Sequence, residues 1–142
     1  MSKVHIVYGS CSGNTQMVCE KIAETLAAKH EVKLFKAMAT EPEDLKGFDV
    51  LIMAAPTYGH GEMEMYMERL MIKMKDFDLK GAKCAIIALG DPKYEEDYHL
   101  ETAKMLKDWL KAKGAEILGM PLRVSKSPVP HLDGYIKMWG EN

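Results

Sequence analysis

The segment that most limits the fold is DVLIMAAP, residues 49–56, where every position from Val50 onward is apolar. A strand solvated on one face alternates apolar and polar residues, whereas an unbroken apolar strand belongs between two layers of helices. CAIIALG, residues 84–90, repeats the pattern, and Val4 to Tyr8 reads as a first strand. Helical spacing fills the intervals. Residues 14–29 place Met17, Val18, Ile22, Leu26 and Ala27 on one face, and a helix over 62–75 carries Met63, Met67, Leu70, Met71 and Met74 as a core-facing stripe. A helix over 100–113 buries Ala103, Leu106 and Leu110 and stops at Gly114. Glu31 to Phe35 is a short charged strand suited to a sheet edge. EPEDLKGFD carries turn residues and one helical turn, and EILGMPLRV is a fifth strand. Leu132, Tyr135, Ile136 and Trp139 have the spacing of a C-terminal helix. Five successive strand–helix units predict a doubly wound α/β fold with a parallel sheet, one domain over residues 1–142.

Charge and cysteine content narrow the function. A net charge of −2 gives no broad attraction to nucleic acid or an anionic membrane. The longest apolar runs, Leu51 to Pro56 and Cys84 to Leu89, are too short to span a bilayer, and MSKVHIVYGS lacks the pattern of a signal peptide. Cys11, Cys19 and Cys84 form no CxxC pair and read as free thiols of a reducing compartment, which places the protein in the cytoplasm.

Doubly wound folds bind ligands beyond the carboxyl ends of their strands, so the loops after Tyr8, Ala55 and Leu89 matter most. The first, in VYGSCSGNTQMV, joins a strand to a helix N-terminus with two glycines, hydroxyl side chains and no charge. Backbone N–H groups there form an anion site, and Ser10, Ser12, Thr15 and Asn14 add donors. Small polar residues also make ordinary turns and helix caps, so the loop alone does not decide. Asn14 and Thr15 follow Gly13 where a triphosphate-binding loop needs Lys-Ser/Thr. Only Gly9 and Gly13 occur where a dinucleotide fold needs three glycines, and strand two ends in Lys36 and Ala37, not an acid. A receiver domain lacks its acidic residues here. Cys11 invites a phosphatase reading, but Met17 stands six residues on, where the phosphate-clamping arginine is required. Cys11 then lends only its backbone N–H.

The second loop, AAPTYGHGEM, offers Tyr58 beside Gly59, and the third, ALGDPKYEEDYHLE, offers Tyr94 among acids. Two aromatics at the same edge as a phosphate loop point to a phosphorylated planar cofactor.

These motifs resemble those of the flavodoxins. VYGSCSGNTQMV is similar to the family's FMN phosphate loop, APTYGHGE to the loop beside the flavin, and ALGDPKYE with LKAKGAEIL to the third loop, its helix and the last strand. The likeness runs through the chain and fits the short-chain branch. It implies a five-stranded parallel sheet of order 2-1-3-4-5. It implies an electron carrier rather than an enzyme, cycling FMN at low potential, mainly between semiquinone and hydroquinone, between a reductase and acceptor enzymes. It implies no catalytic residue and no metal. By the same resemblance Ser10, Cys11, Ser12, Gly13, Asn14 and Thr15 hold the phosphate. Pro56, Thr57, Tyr58, Gly59, His60 and Gly61 line the ring; Leu89, Gly90 and Asp91 meet its pyrimidine edge; and Tyr94 stacks on its outer face. The implied partners are redox proteins docking transiently at the flavin edge of a monomer.

Two alternatives stay open on the residues: a small FMN-dependent NAD(P)H/quinone reductase, for which no nicotinamide motif is visible, and a flavin-free interaction module. Met65 falls off the methionine stripe and is a candidate exposed contact, and His60 a candidate for pH-dependent tuning.

Overall fold

A computed structural model describes residues 3–9, 14–58, 62–63, 65–75, 79–89, 99–118 and 122–124. The strands are β1 (Lys3–Tyr8), β2 (Glu31–Lys36), β3 (Val50–Tyr58), β4 (Glu62–Met63), β5 (Lys83–Leu89), β6 (Glu116–Ile117) and β7 (Leu122–Val124). The helices are α1 (Asn14–Ala27), α2 (Met65–Lys73) and α3 (His99–Ala112). Short 3-10 turns at Ala37–Ala39 and Pro42–Leu45 occupy the β2–β3 connection, the second being the helical turn expected in EPEDLKGFD.

The sheet runs β2-β1-β3-β5-β6, all parallel, with β7 pairing parallel to the far end of β5. Because β6 and β7 share one position beside β5, this is the expected five-position order with β2 at the edge. Of EILGMPLRV, expected as one strand, β6 and β7 are the described parts, both parallel to β5, and residues 119–121 between them lie outside the described residues. Beyond β6, Leu118 N–H donates to Cys84 O at 2.7 Å.

Period-two alternation sends each central strand into two cores. Val4, Ile6, Tyr8, Ile52, Ala54, Ala85 and Ile87 pack with Val18, Cys19 and Ile22 of α1 on one face. Val7, Leu51, Met53, Ala55, Cys84, Ile86 and Ala88 pack with Met67, Leu70 and Met74 of the α2 segment and with Leu106 and Leu110 of α3 on the other. Burial on both faces is why β3 is apolar over Leu51–Ala55 and β5 over Cys84–Ala88. Met67, Leu70 and Met74 are enclosed and fill the core, while Met71 is half-buried and packs against them.

Helix α2 starts at Met65, not at Glu62, because Glu62 and Met63 pair antiparallel with Tyr58 and Thr57. Helix α1 ends at Ala27, two residues early, in a turn where Lys29 and His30 N–H groups donate to Leu26 O. Helix α3 ends at Ala112, one residue before the expected Lys113, and the chain turns away at Gly114, as expected, whose φ of +87° suits a residue without a side chain. The expected helix around Leu132–Trp139 lies outside the described residues.

Candidate functional site

Strand register brings three chain exits to one edge. Tyr8, the last residue of β1, pairs with Ala54, and Pro56 of β3 pairs with Leu89, the last residue of β5. Gly9 extends the first contact, donating its N–H to Ala54 O at 3.0 Å. From these neighbouring carboxyl ends the chain continues into 10–13, 59–61 and 90–98, the segments in which the sequence places its ligand.

Most of those residues, Ser10, Cys11, Ser12, Gly13, Gly59, His60, Gly61, Gly90, Asp91 and Tyr94, lie outside the described residues. The remainder are brought together. Asn14 and Thr15 open α1; Pro56, Thr57 and Tyr58 form the end of β3; Leu89 ends β5. Tyr58 pairs with Glu62, and only Gly59, His60 and Gly61 separate the two.

The start of α1 is the best-defined part of the edge. The helix runs fourteen residues and has no acid in its first turn, so nothing there neutralises the positive end of its dipole. Its first N–H groups have no partner within the helix. Thr15 is 1% exposed, yet its hydroxyl has no hydrogen bond among the described residues. A buried hydroxyl without a partner is costly, and one at a helix N-terminus is suited to donate to an anion. The residues present therefore fit a phosphate-bearing ligand.

Tyr8 supports this helix from beneath. It is buried among Val18, Cys19 and Ile22, and burial pushes its phenol above the ordinary range, with Cys19 and Glu20 adding to the effect. Cys19 is enclosed and its thiol pushed far up by burial, so it is core, not chemistry. Among the described residues no cluster of three His, Cys, Asp or Glu could hold a metal, and no helix is long and apolar enough to cross a membrane.

Sequence reading missed two contributors to this edge. Glu62 reaches it through the antiparallel pairing with Tyr58, and Val124 through its pairing with Leu89. Both depend on contacts between strands, and neither has a local motif.

The flavodoxin family model matches residues 6–139. The flavodoxin of Maridesulfovibrio salexigens is 30% identical over 132 residues, covering 90% of this chain and 89% of that protein. The structure of oxidised flavodoxin 2 from Bacillus cereus superposes with a TM-score of 0.89 at 27% identity, covering 99% of this chain and 96% of its own. The Fusobacterium nucleatum flavodoxin bound to flavin mononucleotide shares the fold at a TM-score of 0.72 and 20% identity, covering 89% of this chain and 78% of its own.

Proposed function

The chain belongs to the flavodoxin family, and from that premise we propose that it binds FMN and passes electrons singly between redox proteins. The observation that carries the proposal is the buried Thr15 hydroxyl, without a hydrogen-bond partner among the described residues, at the N-terminus of α1 beside the adjoining ends of β1, β3 and β5. The FMN carried by the Fusobacterium nucleatum protein of like fold supports the choice of ligand.

When bound, FMN supplies reversible one-electron reduction. The chain's own residues hold it and set how readily each electron enters. Ser10, Ser12 and Thr15 donate hydroxyls to the phosphate, while Cys11, Gly13 and Asn14 supply backbone N–H groups and the amide. No lysine is needed, because one phosphate monoester is held by dipoles. Pro56, Thr57, Tyr58, His60, Gly61 and Leu89 wall the ring site, Gly90 and Asp91 meet its polar edge, and Tyr58 and Tyr94 supply aromatic faces that exclude water. Gly59, lacking Cβ, can turn its carbonyl to accept the proton held at flavin N5. Asp91, Glu95, Glu96 and Asp97 place negative charge where further reduction adds more, which disfavours the last electron.

In this reading the chain is one domain over 1–142, a cytoplasmic monomer and a carrier without catalytic residues, docking partners at the flavin edge. Met65, which opens α2 next to that edge, is a candidate contact. The test is reconstitution. The purified chain should be yellow, take up FMN one-to-one and release it in acid. A colourless chain that ignores FMN contradicts the proposal, and rapid NAD(P)H oxidation by the isolated protein would point instead to a reductase.

A further inference from the structure

At the opposite end of the sheet from the FMN edge, a cavity of about 120 Å³ opens between β1, β2 and the β2–β3 connection. Its wall holds Lys3 of β1, Lys33 and Glu31 of β2, and Asp44 and Lys46 of the connection, with His5. Three ammonium groups thus meet two carboxylates, a surplus of one positive charge on the lining itself; Asp49, beside the lining, accepts the Lys3 N–H at 2.8 Å. None of the three lysines is ion-paired to another described residue. Asp44 is already engaged, accepting the Glu41 N–H at 2.9 Å.

His5 differs from the rest of the wall because it is 5% exposed. Its ring stands edge-on to Phe35 at 5.2 Å and tilted against Phe48 at 6.1 Å. Nδ1 lies 3.0 Å from Leu45 O, and a carbonyl only accepts, so Nδ1 carries the hydrogen. That leaves Nε2 without a hydrogen-bond partner among the described residues, in a ring that lines the cavity. A buried imidazole nitrogen needs a partner. Protonation turns Nε2 from acceptor to donor without disturbing the bond to Leu45 O.

We propose that this cavity is a binding site for a small inorganic oxyanion of the sulfate or phosphate class, and that the anion binds together with a proton on His5. The space is several times what one water needs but well below the roughly 300 Å³ where pockets for larger organic ligands begin, so a nucleotide does not fit. The charges on the lining are those of Lys3, Lys33, Lys46, Glu31 and Asp44, with Asp49 beside them on the Lys3 N–H, and a protonated His5 raises the surplus of the lining to two. A divalent anion a few ångströms from that added charge gains affinity on the order of tenfold.

The test is an NMR pH titration of the FMN-saturated protein in sodium sulfate and in sodium chloride at equal ionic strength, with the His5 ring assigned by its loss in His5→Gln. Sulfate keeps one charge state across the range, and bound FMN occupies the other phosphate site. A tenfold preference for the protonated ring raises the His5 midpoint by about one pH unit at saturating sulfate. The shift should saturate, vanish in Lys33→Gln/Lys46→Gln and persist in Lys29→Gln; these three lysines are exposed, so the fold tolerates the changes. Equal midpoints in the two salts, meaning screening only, or a shift that survives the double substitution, overturns the proposal.

Discussion

Replacing Thr15 by valine separates the hydroxyl's role in binding from any role in folding. The two side chains have nearly the same shape and close helix propensities, so the change removes one oxygen and little else. Thr15 is 1% exposed and its hydroxyl bonds to no other described residue, so in the FMN-free chain the substitution breaks no described contact. It also relieves the desolvation of a buried polar group, a penalty of about 1–3 kcal/mol. The FMN-free variant should be at least as stable as the parent in urea. A hydrogen bond to a charged phosphate is worth about 1.5–3 kcal/mol, so FMN should bind roughly tenfold to a hundredfold more weakly. Thr15→Ser is the complement: the hydroxyl and the FMN affinity stay, while the lost methyl lowers stability by about 1 kcal/mol. Quenching of flavin fluorescence gives the affinity, and urea unfolding of FMN-free protein gives the stability. If the valine variant binds FMN like the parent, or if its FMN-free form is destabilised, the hydroxyl serves the fold and the reasoning fails.

Gly114 and Gly47 both have positive φ, +87° and +89°, but a Cβ on Gly114 would lie 3.0 Å from Lys80 Cα while one on Gly47 meets nothing within 4 Å. Denaturant midpoints should show Gly47→Ala costing about 1 kcal/mol and Gly114→Ala at least about 1 kcal/mol more. Met74→Ala, at a fully enclosed position between α2 and the sheet, should cost about 2–5 kcal/mol by the same measurement. Burial pushes the Cys84 thiol from 9.0 up to about 12 and raises that of Cys19 further, so the folded chain keeps protons that the unfolded chain releases. Stability is fully present below pH 9 and falls above it by about 1.4 kcal/mol per unit for each thiol. Urea unfolding at pH 8 and pH 10 should show a steeper fall for the parent than for Cys19→Ala/Cys84→Ala, and equal slopes would refute it.

The strands that build the middle of the sheet were legible because burial on both faces leaves an unbroken apolar run, as in Val50–Pro56 and Cys84–Leu89. Helix phases were equally plain, since Val18, Ile22, Leu106 and Leu110 face the sheet in the structure as their spacing requires. What stayed hidden depends on partners distant in sequence. Glu62 and Met63 read as helix because Met63 fits the methionine spacing, yet pairing with Tyr58 and Thr57 claims them for β4. Pro56 suggested the end of a strand, but β3 continues to Tyr58. The burial of His5 needs Phe35, Phe48 and Leu45, which meet only once β2 and its connection have folded over β1. Of the ligand edge, the start of α1 was readable from the change of period at Asn14. The contribution of Glu62 was not, because it rests on a strand pairing.

One-electron transfer by bound FMN is tested most directly by an equilibrium redox titration of the reconstituted protein, followed by absorbance. The account predicts two separated one-electron steps, the second at a lower potential than in free FMN, because in the proposed arrangement Asp91, Glu95, Glu96 and Asp97 outnumber the one lysine of their loop, Lys93, and the phosphate loop carries no lysine. A single two-electron step at the potential of free FMN would contradict it.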